Sequence, residues 1–453
     1  MPATSTSAPI DPALRAPLPV LGRDVTVPLV TGGHVTYAAL DYAASAPALE
    51  RVWDDVAAFL PYYGSVHRGA GYLSQLSTAL LERSRDTVRQ HLGVRPDDEV
   101  LFTRSTTDSL NLLAGALPGD TEVYVFETEH HAALLPWHDG ATTVLAAPCS
   151  AQDAVDRLTA ALAGRSRGRP GLVCVTGASN VTGELWPVAE LASVAHAAGA
   201  RLVLDAAQLA PHRPIDVGAL GVDYVAFSGH KMYAPFGAGV LAGRADWLGA
   251  ARPYLAGGGA SRRVEVTAAG TLDVQWHGGS TRHEAGSPNV VGAYAVASAC
   301  RALAEAGFSA LVEREDALLR RLTGGLAAIP GVTLLSLLGD GAPRVGVVSF
   351  VIEGWRSSQV AAALSAEHGI GVRDGLFCAH PLMRVLVGAV HQGPASGRDS
   401  RPQGRSQHAI RASFGAGTPV EHVDRLVDAV SSIVHEGTRH EYRNDGERCA
   451  PVR

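Results

Sequence analysis

Five short runs of consecutive apolar residues punctuate the middle of the chain. They are Val100-Leu101-Phe102-Thr103, Val123-Tyr124-Val125-Phe126, Leu172-Val173-Cys174-Val175, Leu202-Val203-Leu204 and Val222 to Phe227. Runs of this length, rich in β-branched and aromatic residues and separated by helical patterns, predict buried strands. The alternation from about 40 to 300 therefore predicts an α/β domain with a largely parallel sheet. Beyond about 305 the order becomes helix, strand, helix, which predicts a smaller α+β domain. Its last helix is signalled by Thr418-Pro419-Val420-Glu421, a capping box with proline at the first helical position. Val420, Val423, Leu426, Val427, Val430, Ile433 and Val434 then share one face. The opening residues are rich in Pro, Ala, Thr and Ser and predict a loosely attached arm. Gln392 to His408 is a Gly/Ser/Arg/Pro stretch with almost no apolar residue, so a flexible insertion is expected over about 388–409. The expected division is an arm at 1–37, a large domain at 38–304 and a small domain at 305–453.

Composition narrows the class. A chain of 453 residues that is 46% hydrophobic can bury a sizeable core. A net charge of −6 gives no reason to expect nucleic acid or an anionic membrane as partner. No apolar run reaches the roughly 18 residues of a membrane span. Met1 to Ser7 has neither the basic stretch nor the apolar core of a signal peptide. Cys149, Cys174, Cys300, Cys378 and Cys449 are odd in number and form no CxxC pair. That predicts a reduced, cytoplasmic protein with free thiols and no metal site.

The chemistry begins at Ser228-Gly229-His230-Lys231, a polar turn that follows an apolar run. A lysine desolvated there loses its proton readily and can form a Schiff base with an aldehyde cofactor. Upstream, Leu202-Val203-Leu204-Asp205 ends a strand in a carboxylate. A carboxylate against a pyridinium nitrogen, with a lysine on the aldehyde carbon, is what pyridoxal phosphate requires. Thr103 to Leu112 sets hydroxyl residues at the start of a helix, where free N–H groups favour an anion. The same residues would serve equally as ordinary helix caps. Glu129-His130-His131 offers a ring to stack on a planar cofactor, and Ser179-Asn180-Val181-Thr182-Gly183 offers an amide or simply a turn. Thr106, His131, Asn180, Asp205 and Lys231 follow successive strands, so the doubly wound rule lines them along one crevice.

Taken together, these stretches resemble the class V aminotransferase-fold enzymes and, among them, the cysteine desulfurases and selenocysteine lyases. Further matching stretches are Leu40 to Ala46, Ser65 to Gly69, Asp205-Ala206-Ala207-Gln208, Glu284 to Asn289, Cys378 to Met383 and Arg411-Ala412-Ser413. The resemblance implies fold type I: a mostly parallel seven-stranded sheet flanked by helices, with a small α+β C-terminal domain. It implies pyridoxal 5'-phosphate bound as a Schiff base on Lys231, Asp205 at the pyridinium nitrogen, Gln208 at the phenolic oxygen and His131 on the ring. Thr106, Thr107, Ser228 and His230 would hold the phosphate, joined by Ser287 from the partner subunit of a homodimer with shared active sites. Asn180, Arg411, Arg373 and His67 would meet the amino-acid substrate. Cys378 would be the nucleophile that takes sulfur from L-cysteine and passes it to an acceptor protein. Here the chain departs from the family: Arg373-Asp374-Gly375-Leu376-Phe377-Cys378 carries Phe377 where a histidine is expected, and phenylalanine offers no positive charge to favour thiolate. The alternatives are a small buried role for Cys378 and a C–S lyase, epimerase or aminotransferase reaction on the same cofactor.

Overall fold

The apolar runs form strands. The computed structural model describes residues 11–12, 15–67, 69–138, 141–166, 168–391, 407–444 and 449–452. Helices α1 (Glu50–Phe59) and α2 (Tyr72–His91) precede the central sheet. Its strands are β1 (Asp98–Thr103), β2 (Glu122–Phe126), β3 (Thr142–Leu145), β4 (Gly171–Thr176), β5 (Arg201–Asp205), β6 (Tyr224–Ser228) and β7 (Gly239–Arg244). Their order across the sheet is β1-β7-β6-β5-β4-β2-β3. Every pairing is parallel except those of β7, which runs antiparallel to both β1 and β6. β3 and β7 were not among the predicted runs: Thr142-Thr143-Val144 is exposed or half-buried, and two glycines interrupt β7.

Among the helices between these strands are α3 (Thr106–Ala116), α4 (His131–Leu134), α5 (Ala151–Ala163) and α6 (Val188–Ala197). Two longer helices follow, α7 (Val290–Ala306) and α8 (Phe308–Ala327). They meet at Gly307 with a bend of 82°. No single described helix is long and apolar enough to cross a membrane. A second sheet is antiparallel throughout, in the order Val332–Leu334, Val347–Ile352, Ala409–Ser413, Arg373–Gly375. In it Arg411 lies opposite Ser349 on one side and Arg373 on the other.

Three expectations differ from what is observed. The arm is held from Leu18 onward: the Leu18, Leu21 and Val30 N–H groups donate to Ala416, Ala48 and Ala366 carbonyls, each at 2.9 Å, and Val20 is buried. Backbone groups make these bonds, so side-chain composition did not reveal them. The insertion expected over 388–409 starts inside a helix, α9 here (His380–His391), and Ala409 is already strand; residues 392–406 lie outside the described residues. The final helix, α10 (Val420–Glu436), starts one residue late for a capping box. Pro419 is its N-cap, and the Thr418 hydroxyl accepts the Gly415 N–H at 3.1 Å instead. Its predicted face does bury Val420, Val423, Leu426, Val430 and Ile433.

Candidate active site

In an open parallel sheet, ligands bind beyond the carboxyl ends of the strands. A cavity of about 410 Å³ lies there. Ser105, Thr106 and Thr107 follow β1, His130 follows β2, Thr176 ends β4 with Asn180 beyond it, and Asp205 ends β5. Ser228 ends β6 with His230 and Lys231 just beyond it, and the second sheet and the turn after it bring Arg373, Asp374, Phe377, Cys378 and Arg411 to the opposite wall.

The anion end is built by α3. Ser105 caps it, its hydroxyl accepting the Asp108 N–H at 3.3 Å. The Thr106 N–H and hydroxyl both meet the Ser228 hydroxyl at 2.7 Å. Gly239 makes the close approach possible, since a methyl group there would stand 2.7 Å from the Ser105 Cα. The helix start thus presents N–H and hydroxyl donors to the cavity.

At the centre, Lys231 is partly buried against the cavity, and desolvation pushes its amine down to about 8, against the opposing pull of Asp205. Asp205 is itself buried, which raises its carboxyl; the Ala207 N–H at 2.9 Å and Lys231 work in the other direction. Gln208 donates its amide to the Ala43 carbonyl at 2.7 Å. Beneath them Glu129 is 1% exposed. Burial, with the Asp205 charge, raises it well above the usual carboxylate range.

The histidine expectation needs a correction. The side chain lining the cavity is that of His130, not His131. His130 is the N-cap of α4, its Nδ1 accepting the Ala132 N–H at 3.0 Å, so its ring projects ahead of the helix. Burial, then Lys231, pushes it down to about 3, so it stays neutral. His131 is the first helical residue; its ring faces His380, with centroids 4.5 Å apart.

On the opposite wall, Arg411 is 3% exposed and donates to the Asn180 carbonyl at 2.9 Å and to Asp41 at 3.1 Å. Its Nε is buried with no partner among the described residues. A buried guanidinium edge without an acceptor is costly, and a carboxylate entering the cavity would satisfy it as one arm of a bidentate pair. Asp41 also holds Arg373, at 3.3 Å. Cys378 is exposed in the cavity wall rather than buried in the core. It occupies a turn closed by the Ala379 N–H on the Leu376 carbonyl at 2.9 Å. Both central residues have positive φ, Phe377 at 53° and Cys378 at 52°. Neither is glycine or asparagine, and such a backbone costs about 1–3 kcal/mol per residue.

His67 and Ser287 are not brought to this cavity. His67 borders a second one of about 400 Å³, lined also by Gly286 and Pro288 on either side of the exposed Ser287. Sequence reasoning missed His130 and Asp41 as site residues. Only His130 had a readable signal, as the residue preceding the first helical position.

The donor set fits pyridoxal phosphate: a helix start with hydroxyls for the phosphate, a buried carboxylate, and a buried amine of lowered pKa beside it. Known proteins resemble this chain in sequence and fold. The model of the family described as aminotransferase class-V matches residues 38–426. A cysteine desulfurase of Klebsiella pneumoniae (strain 342) is 34% identical over 433 residues, covering 93% of this chain and 97% of that protein. Among solved structures, the apo cysteine desulfurase of Thermococcus onnurineus NA1 superposes with a TM-score of 0.74 at 30% identity, over 88% of this chain and 94% of that one. The cysteine desulfurase CsdA of Escherichia coli gives 0.71 at 31% identity, over 87% and 94%. With most of its length matched in both sequence and fold, the chain belongs to the aminotransferase class-V family, as a cysteine desulfurase-like member.

Proposed function

We propose that the protein is a pyridoxal-phosphate-dependent cysteine desulfurase, converting L-cysteine to L-alanine and leaving a persulfide on Cys378. The observation that carries this reading is the position of Cys378, in the wall of the same cavity as Lys231, Asp205 and Arg411. A lyase, epimerase or aminotransferase needs the last three but not a thiol.

The large domain, 38–304, holds the cofactor, and the small domain, 305–453, supplies the thiol. Thr106, Thr107, Ser228 and His230 hold the phosphate, Asp205 the ring nitrogen, Gln208 the ring oxygen, and His130 the ring face. Bound there, the cofactor supplies an electron sink for charge developing at the substrate α-carbon. Arg411 binds and orients the substrate carboxylate, with Arg373 at the outer edge. Lys231 is neutral in a useful fraction near pH 8, so its Nζ can take the α-proton. The Sγ of Cys378, as thiolate, attacks the substrate sulfur. A sulfur–sulfur bond forms as the Cβ–S bond breaks; Cβ gains the proton that the Cys378 thiol gave up, and the α-proton returns to Cα to complete alanine. An exposed thiol at the cavity mouth also suits delivery of sulfur to an acceptor protein.

Cys149, Cys174, Cys300 and Cys378 carry free thiols, which supports a cytoplasmic setting. Family membership supports a homodimer, in which His67 and Ser287 would reach the neighbouring subunit's site. The test is to incubate purified holoenzyme with L-cysteine and a thiol, and to measure alanine, sulfide and pyruvate. Alanine with sulfide is expected. Pyruvate with sulfide would make the protein a lyase, and no product at all would move it to another substrate.

A further inference from the structure

Asn180, Phe377 and Arg411 form a closed circuit on the wall of the cavity. The Asn180 side-chain amide donates to the Phe377 carbonyl at 2.8 Å. The Asn180 backbone carbonyl accepts from Arg411 at 2.9 Å. The Phe377 ring, 9% exposed, lies under the Arg411 guanidinium, whose carbon is 5.0 Å from the ring centroid. The second peptide of the turn is clamped too: the His131 N–H donates to the Cys378 carbonyl at 2.8 Å.

These bonds fall on the two residues with positive φ. A turn with positive φ at both central positions is normally built from Asn, Asp or Gly. Phenylalanine and cysteine adopt it only when the surroundings over-determine it, and outliers of this kind gather where geometry serves function. The Phe377 carbonyl is fixed by a side chain 197 positions away, and the Cys378 carbonyl by the start of α4. The Asn180 amide is therefore engaged by the turn, although the resemblance assigned it to the substrate.

We propose that Asn180 is the positioning residue for Cys378: through the Phe377 carbonyl it holds the strained turn that sets the thiol beside Arg411. Carboxylate reader and nucleophile are thereby one mechanical unit, with Asn180 joining them by its backbone on one side and its side chain on the other. Without the amide the turn relaxes toward ordinary backbone, and the thiol moves away from the carboxylate bound at Arg411. This deepens the desulfurase reading and rests on it for its biological meaning. The positioning itself is measurable without turnover.

The test alkylates Cys378 in the holoenzyme with iodoacetate and with iodoacetamide and compares the two rate constants. Both reagents meet the same thiolate, but only iodoacetate carries a carboxylate for Arg411. In Asn180→Ala the backbone carbonyl that holds Arg411 remains, so only the turn is released. The iodoacetate-to-iodoacetamide ratio is expected to fall by on the order of 10-fold or more, as misplacement of a reacting group predicts. The double variant Asn180→Ala/Phe377→Asn should recover part of the ratio, because asparagine tolerates positive φ without a clamp. An unchanged ratio in Asn180→Ala overturns the proposal. So does a double variant that recovers nothing, which would assign the loss to general repacking. In steady state, the proposal expects Asn180→Ala to lower kcat for alanine formation while leaving KM for L-cysteine within about threefold. A raised KM with unchanged kcat would return Asn180 to the substrate. If wild-type protein shows the ratio but forms no persulfide, the desulfurase reading fails while the positioning stands.

Discussion

The two reactive groups that share the cavity are held in opposite ways. Lys231 follows β6, whose five residues are all buried, and its desolvated amine sits beside a buried carboxylate. Cys378 is exposed, three residues beyond the short edge strand Arg373–Gly375, on a turn kept in strained backbone by residues distant in sequence. The lysine end is tuned by desolvation, which acts on charge and needs only a rigid, dry wall. The cysteine end is tuned by position. Phe377 brings no charge of its own, and the cations that act on Cys378 are Arg411 and Lys231, so placement next to them and to the substrate is what the turn provides.

The comparison breaks most severely at the lysine. Lys231→Ala should lower alanine formation by ~10⁴-fold or more, since amine and proton carrier are lost together. An active Lys231→Ala enzyme would remove the buried end from the account. Next comes Arg411, which serves both ends. Arg411→Lys should lower kcat/KM by on the order of 10–1000-fold, or ~1.4–4 kcal/mol, because a point charge cannot reproduce the planar fork. Steady-state kinetics on L-cysteine will show it, and unchanged values would take Arg411 out of the site.

Gly183→Ala sharpens the comparison from the protein side. Gly183 closes the turn that carries Asn180, with φ of +75°, and an added methyl group would collide with the Val347 carbonyl. The urea midpoint should drop by the equivalent of about 1–3 kcal/mol. The smallest effect is a pH profile. A lowered lysine pKa means the reactive neutral amine gains between pH 7 and 8 rather than near 10.5. Cofactor-free protein should therefore capture pyridoxal phosphate roughly fivefold faster at pH 8 than at pH 7, then level off. A rate still rising steeply at pH 10 would mean that burial does not depress this amine.

How much of this the sequence disclosed follows the same division. The lysine end was legible because its signals are local: an apolar run, then a carboxylate or a polar turn, with hydroxyls at a helix start. Thr106, Asp205, Gln208, Ser228, His230 and Lys231 all line the cavity as read. The histidine was misread by one residue, since a His-His pair does not say where the helix begins and only the capping residue faces inward. The fold was legible in five of seven central strands; β3 and β7 lack the continuous apolar run that marks the others. The cysteine end was not legible. The Asn180–Phe377 bond spans 197 positions, and the Asp41 bridge to Arg411 spans 370. No local pattern encodes a strained turn whose restraint comes from so far along the chain.

The central claim is that Cys378 receives the substrate's sulfur, and the mass of the Cys378 peptide tests it most directly. Holoenzyme treated with L-cysteine and no reducing thiol should gain about 32 Da, one sulfur atom, on that peptide. Cys378→Ala should gain nothing and form no alanine while keeping its cofactor absorption. Alanine made at the wild-type rate by Cys378→Ala, or wild-type turnover with an unmodified Cys378, would contradict the account.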